Sequence, residues 1–337
     1  MTCAPPSDRA QAPPLSTSAT TGVPPSVGHQ RLVIVVPAWK PRYLEAALDS
    51  IARQTDKRFD CHIYDDAGPE EVAAIARRFP QFHYQRFSSN LGGHALVEHW
   101  NRCLQHLPHE WVWLFSDDDV MAPGSVASVL AAIERQPTVS VLQLAVRMCS
   151  SDLQAVTLQS DPPAWESADD FLAARLSSQR LSCLPDHVFN WTRLRELAGG
   201  MVVLPLAWNA DDATWLLLAG DKGLSAAPGA MVLWRQSDTN ISAQRGNVWT
   251  KLGADVAYVD FLHRHGFMTR VRQGAVTRWF SERLVNLYGF DFLDLPMLWR
   301  RLPWPLRTAW FLLMARLCWR RLRRGRRAAA LARSEGG

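Results

Sequence analysis

Between residues 31 and 146, short apolar runs alternate with stretches of helical period, and this rhythm constrains the fold more than any other feature of the chain. Arg31-Leu-Val-Ile-Val-Val36 reads as a buried strand stopped by Pro37. Tyr43, Leu44, Ala47, Leu48 and Ile51 then recur at helical spacing. Phe59–Tyr64, Phe82–Phe87, Trp111–Phe115 and Val139–Val146 read as four more strands. Helices are expected over about Pro69–Arg78, from Leu91-Gly92-Gly93 to about His106, and over Pro123–Arg135. Strands and helices alternating at this pace predict parallel pairing with right-handed crossovers, an α/β layer of nucleotide-binding type.

Two of these strands end in carboxylates. Phe59–Tyr64 runs into Asp65-Asp66-Ala-Gly68, and Trp111–Phe115 runs through Ser116 into Asp117, Asp118 and Asp119. In a parallel sheet both clusters fall on the carboxyl edge, where open α/β folds bind ligands. Like charges in a row repel unless a cation neutralises them. Mg²⁺ and Mn²⁺ take hard oxygen ligands, commonly one or two carboxylates together with substrate phosphates. A metal–diphosphate site is the functional reading. The bland one is a turn at Asp65–Gly68 and a solvated acidic loop before the next helix.

After Ser150 the alternation weakens. Ala168–Leu176 is an expected helix, Asp186–Trp191 looks extended, and Gly199-Gly200 turns before Met201–Leu204. Asp211 and Asp212 open a helix that continues through Leu216, Leu217 and Leu218, flanked by Trp208 and Trp215. These carboxylates read either as helix-start groups favoured by the dipole or as a general base. Ala230–Trp234 is a strand leading into a polar loop, where Arg235 could pair with a diphosphate or simply face solvent. Two helices are expected over residues 250–290.

Composition bounds the ends of the chain. Residues 1–29, rich in Pro, Ser, Thr and Ala, hold too little apolar surface to order themselves. Residues 300–337 hold eleven arginines and one glutamate, +10, against +5 for all 337 residues, so residues 1–299 carry −5. An acidic body argues against nucleic acid as partner. The Trp-, Leu- and Arg-rich tail fits an interfacial helix on an anionic membrane surface, or a terminal helix docked on the body. Its unbroken apolar stretch, Ala309–Ala315, is too short to span a bilayer. Cys3, Cys61, Cys103, Cys149, Cys183 and Cys318 show no paired spacing, and there is no secretory signal. The expected location is cytoplasmic, with the tail placing the protein peripherally at the inner face of the cell membrane.

Taken in order, these segments resemble the family 2 glycosyltransferases, inverting sugar-nucleotide enzymes of GT-A fold. Ile34-Val-Val-Pro-Ala-Trp-Lys40 is similar to the family's first strand, which usually ends Pro-(Ala/Thr)-Tyr-Asn, and Tyr43–Thr55 to its first helix. Tyr64-Asp-Asp-Ala-Gly68 looks like its Val-Asp-Asp-Gly-Ser element, and Asn90-Leu-Gly-Gly93 with Asn101 like its Asn-x-Gly segment and a later asparagine. Phe115-Ser-Asp-Asp-Asp119 occupies the Asp-x-Asp place, and Asp211-Asp212 that of the acidic base pair. The similarity spans residues 31–245. It implies an α/β GT-A domain over 30–245, to which helical spacing adds an extension over 246–292 and composition a basic amphipathic tail over 293–337. It also implies that Pro37, Ala38 and Asp66 line a nucleoside pocket, with Asp66 facing the base. Asp117 and Asp119 would bracket Mn²⁺ or Mg²⁺, and Asp118 would face the donor sugar or ribose. Asp212, or less favourably Asp211, would deprotonate the acceptor. Trp39-Lys40 in place of Tyr-Asn, and Ser116 where the first Asp is commonest, depart from the pattern.

The implied activity is transfer of a sugar from a nucleotide donor, a UDP-sugar first, to a hydroxyl of a surface polysaccharide or lipid-linked glycan. A nucleotidyltransferase is the alternative enzyme, although Pro37-Ala-Trp-Lys-Pro41 lacks the glycine-rich loop expected of one. A non-catalytic sugar- or membrane-binding module is the third reading. The enzymatic readings require Asp66, Asp119 and Asp212 to line a common cleft.

Overall fold

The computed structural model describes residues 30–236, 248–268, 270–286 and 288, with single positions at Trp299, Arg300, Arg307, Ala315 and Trp319. The leader 1–29, most of the polar loop after Arg235 and nearly all of the basic tail lie outside the described residues.

The first strand, β1 (Leu32–Ala38), is apolar along its whole length because both of its faces are covered. Leu32, Ile34 and Val36 enter one apolar cluster, and Val33 and Val35 enter the other, on the opposite face of the sheet. Helix α1 (Pro41–Ala52) starts with a proline in its first turn, where the missing N–H costs nothing, and buries Leu44, Ala47, Leu48 and Ile51. Next come β2 (Asp60–Asp65), α2 (Glu70–Ala76), β3 (His83–Arg86), α3 (Leu96–Leu104) and β4 (Trp111–Leu114). These strands pair in parallel in the order β3-β2-β1-β4. Their register sets Ala38 beside Asp65 and Val35 beside Leu114. The carboxylates that follow β2 and β4 therefore share one sheet edge.

Beyond β4 the ten-stranded sheet is mixed. The two-residue β5 (Val120–Met121) leads to α4 (Ser125–Arg135), then β6 (Val141–Cys149), β7 (Val156–Ser160), β8 (Trp165–Glu166) and α5 (Ala168–Leu176). Strand β9 (His187–Asn190) runs antiparallel between β4 and β6. Helix α6 (Trp191–Ala198) follows at once, because the Asn190 side chain accepts from Arg193 N and caps it. Then come α7 (Ala210–Ala219), β10 (Leu224–Arg235, parallel to β6 and antiparallel to β5), α8 (Val248–Arg264) and α9 (Arg270–Asn286). Strands β5, β7 and β8 and helix α6 are additions to the sequence expectation. Helices α8 and α9 place Leu252, Tyr258, Leu262 and Phe280 in the same apolar cluster as Val33, Val35 and Trp215. No helix among the described residues is long and apolar enough to cross a membrane.

Candidate active site

A cavity of about 430 Å³ opens at the carboxyl ends of β1 and β4. Pro37, Ala38, Trp39 and Lys40 form one wall, Asp66 and Gly92 another, and Ser116, Asp117 and Asp118 a third. Asp66 is buried and holds the second wall together. Its Oδ2 accepts from Gly92 N at 2.7 Å and Asn90 Nδ2 at 2.9 Å, and its Oδ1 from Leu91 N at 2.9 Å and Arg102 Nη2 at 2.5 Å. With both oxygens filled, this carboxylate shapes the Asn90–Gly93 loop. A Cβ on residue 92 would stand 2.9 Å from Asp66 Oδ2, which is why glycine occupies that position. The preceding carboxylate, Asp65, acts in the same way, accepting from Gly68 N, Tyr84 Oη and Arg86 Nη1, each at 2.7 Å. Burial lowers His99, which lies 3.5 Å from Asp66, to about 4, so it is neutral at physiological pH.

The three consecutive aspartates point in different directions. Asp117 Oδ2 accepts from the backbone N–H of Trp39 at 2.9 Å and of Lys40 at 2.8 Å. Lys40 Nζ donates to Asp118 Oδ2 at 2.6 Å and lies 3.7 Å from Asp117 Oδ1. Burial would depress Lys40, but Asp117 and Asp118 outweigh it and the amine is raised. Burial lifts Asp117 to about 6 against the pull of Lys40. Asp119 is fully buried and lies outside the cavity wall; its Oδ1 accepts from Arg235 N at 2.8 Å, and its Oδ2 has no hydrogen-bond partner among the described residues. Burial, then the charge of Asp118, raises it well above the ordinary range.

A second cavity, of about 340 Å³, lies among α5, α7, α8 and α9. Asp212, Asn209, Arg175, Tyr258, Trp279 and Arg283 are among its lining residues. Asp212 is gripped by Arg175 Nε, at 2.8 Å to Oδ2 and 3.1 Å to Oδ1, and accepts from Ser182 Oγ at 3.2 Å. Asp211 Oδ1 accepts the N–H of Asp212 at 2.9 Å. Burial, then the neighbouring charge of Asp212, raises Asp211 to about 7. The helix dipole favours both carboxylates.

Residues 33–193 match the family model described as Glycosyl transferase family 2. This segment is a family 2 glycosyltransferase domain. No curated protein matches the chain in sequence. Among solved structures, S. aureus TarS 1–349 in complex with UDP-GlcNAc is similar at a TM-score of 0.56 and 14% identity, over 84% of this chain and 79% of that one. The same protein in complex with UDP gives 0.50 and 16%, over 79% and 77%. At these identities the likeness is one of fold, the GT-A architecture. The glycosyltransferase assignment comes from the family match over residues 33–193.

For this glycosyltransferase, the structure gathers Pro37, Ala38, Asp66, Asp117 and Asp118 around one cavity and leaves four expected residues off its wall. Asp119 turns into the protein. Arg235 is buried behind the acidic turn, donating through Nε to Asp118 O at 2.8 Å and through Nη1 to Ser151 O, with its guanidinium 4.1 Å from the Tyr43 ring centroid. Asp212 faces the second cavity, and Asp211 is on the lining of neither. Asp66, Asp119 and Asp212 therefore line no common cavity among the described residues, and the enzyme class rests on the family match instead. Lys40, Arg102 and Arg175 are the partners that sequence reading missed. Lys40 carried a signal, as a charged departure from the family's usual asparagine. Arg102 and Arg175 are single arginines on helices, with nothing local to mark them.

Proposed function

We propose that this enzyme transfers a sugar, with inversion, from a nucleoside-diphosphate donor to a hydroxyl of a glycan or lipid-linked acceptor. The donor's nucleotide occupies the cavity walled by Pro37, Ala38 and Asp66. A UDP-sugar is the first candidate, since TarS, of the same fold, holds UDP-GlcNAc. Asp211 is the general base, and the observation that carries this is the asymmetry of its pair. Asp212 is locked to Arg175, whereas Asp211 is lifted to about 7, a value suited to accepting a proton near neutrality. As the acceptor oxygen attacks the anomeric carbon, its proton passes to Asp211 and the bond to the diphosphate breaks on the opposite face. Asp212, paired with Arg175, is the neighbour whose charge adds to burial in raising Asp211.

Asp117 and Asp118, whose carboxylates lie at the cavity wall beside the Lys40 amine, would hold a divalent ion. Two carboxylates are enough for Mg²⁺ or Mn²⁺ when phosphates complete the shell. When bound, the ion neutralises charge on the leaving diphosphate. The arginine-rich segment 293–337 suits an anionic membrane surface, where a lipid-linked acceptor would be met.

A screen of nucleoside-diphosphate release across UDP- and GDP-sugars, with Mn²⁺, Mg²⁺ or EDTA, tests the reading. Metal-stimulated release from one nucleotide class supports it, and no release from any donor refutes it.

A further inference from the structure

The turn that delivers Asp211 and Asp212 makes two short backbone hydrogen bonds, Ala207 N to Leu204 O at 3.0 Å and Trp208 N to Pro205 O at 3.1 Å, and its side chains are held from outside. Leu206, Ala207 and Asn209 have φ of 59°, 56° and 61°, the left-handed region, which leucine and alanine adopt only when their surroundings impose it. Asn209 is the N-cap of α7 yet its side chain makes no capping hydrogen bond. Its Nδ2 donates instead to Asp255 Oδ1, on α8, at 3.0 Å, and Trp208 Nε1 donates to the same oxygen at 3.1 Å. The other oxygen of Asp255 accepts from Arg283 Nε, on α9, at 2.7 Å and from the Tyr288 hydroxyl. Asp255 is 0% exposed. One buried carboxylate thus ties the turn to both helices of the extension. Lys251 Nζ and Arg283 Cζ also lie 4.8 and 5.2 Å from the Trp208 ring centroid. The turn divides the two cavities: Leu206 lines the first, and Asn209 and Asp212 line the second.

We propose that Asp255 is a positioning residue for glycosyl transfer, holding the Leu206–Asn209 turn in its left-handed form and so fixing where α7 presents the Asp211–Asp212 pair. The inference rests on the reading that this pair supplies the base. It makes α8 and α9, outside the family-matched segment, a working part of the enzyme. The side chain touches no reacting atom; it acts through Trp208 and Asn209.

The test uses the full chain and slow hydrolysis of whichever UDP- or GDP-hexose releases its nucleotide fastest, water standing in for the acceptor. Trp208→Phe removes one hydrogen bond and keeps an aromatic ring. It is expected to lower kcat about fivefold to tenfold with donor KM within about twofold, since small displacements of a catalytic group are costly. Asp255→Asn should lower kcat about 30- to 100-fold with the same KM pattern. If Asp255→Asn does not fold, Trp208→Phe decides. The acid limb of the kcat–pH profile should move to lower pH in both variants as Asp211 loses its buried setting, a change that general loosening would not produce. Unchanged kcat and unchanged acid limb in Trp208→Phe overturn the proposal if Asp211→Asn abolishes hydrolysis. If Asp211→Asn and Asp212→Asn both hydrolyse at the full rate, the base reading has failed, and the positioning role falls with it.

Discussion

The two cavities of this glycosyltransferase are assembled by opposite means. The first cavity, the proposed donor site, is walled mainly by short connections at the ends of consecutive parallel strands, so most of its polar residues lie within a few positions of β1, β2 or β4. The second draws Arg175 from α5, Asp212 from α7, Tyr258 from α8 and Trp279 and Arg283 from α9. A strand end brings its carboxylate to the sheet edge wherever the strand forms. A helix brings a side chain to a cavity only when its whole packing angle is right. The first kind of site survives sequence change through local motifs, and the second depends on distant props such as Asp255.

The largest effect expected from breaking this contrast comes at the base. Asp211→Asn should reduce transfer about 10³-fold, the range of general-base catalysis, and leave nucleoside-diphosphate affinity by calorimetry unchanged. If Asp212→Asn shows that loss instead, the roles within the pair are exchanged. Next is Asp66→Ala, which strands Arg102 and the N–H groups of Leu91 and Gly92. Removing one partner of a buried ion pair should cost about 3–5 kcal/mol in urea unfolding, and donor binding should go with it. A loss under ~1 kcal/mol would mean that the Asn90–Gly93 loop is held by something else.

The pH dependence sharpens the comparison further. Wild-type kcat should rise with pH through about 7, because Asp211 must be deprotonated to act as base. Asp212→Asn removes the negative charge that raises Asp211 and leaves Arg175 unopposed, and both changes lower the pKa. The acid limb should therefore move down by about one pH unit in a stopped assay series. A limb that stays in place would assign it to another group. The smallest effect is at Trp39, 51% exposed on the donor wall. Trp39→Ala should change stability by less than about 0.5 kcal/mol. It should weaken nucleotide binding about threefold, as expected for loss of one aromatic contact. Equal affinity would remove Trp39 from the donor site.

How much of this was legible in the chain follows from the same contrast. The apolar stripe of α1, the acids at the ends of β2 and β4 and the helix opening at Asp211-Asp212 are all local patterns, and the structure has each where the pattern puts it. The direction of each acid was not legible. Asp117, Asp118 and Asp119 are consecutive, yet one caps the β1–α1 turn, one pairs with Lys40 and one enters the core, because the chain bends sharply into the two-residue β5. The parallel half was read from alternation, but β9 could not be placed from it. An extended stretch at 186–191 does not say which strands it will join, and nothing local tells His187–Asn190 to run backwards between β4 and β6.

That inserted strand also governs how the molecule can be made. Because β9 separates β4 from β6, the middle of the sheet stays open until the ribosome has released the chain past Asn190. Until then the facing edges of β4 and β6 lack the strand that pairs with both. Late closure of a central gap through distant pairing is slow and invites wrong partners, so the synthesis of this enzyme should be most sensitive to chaperones in the interval between β6 and β9.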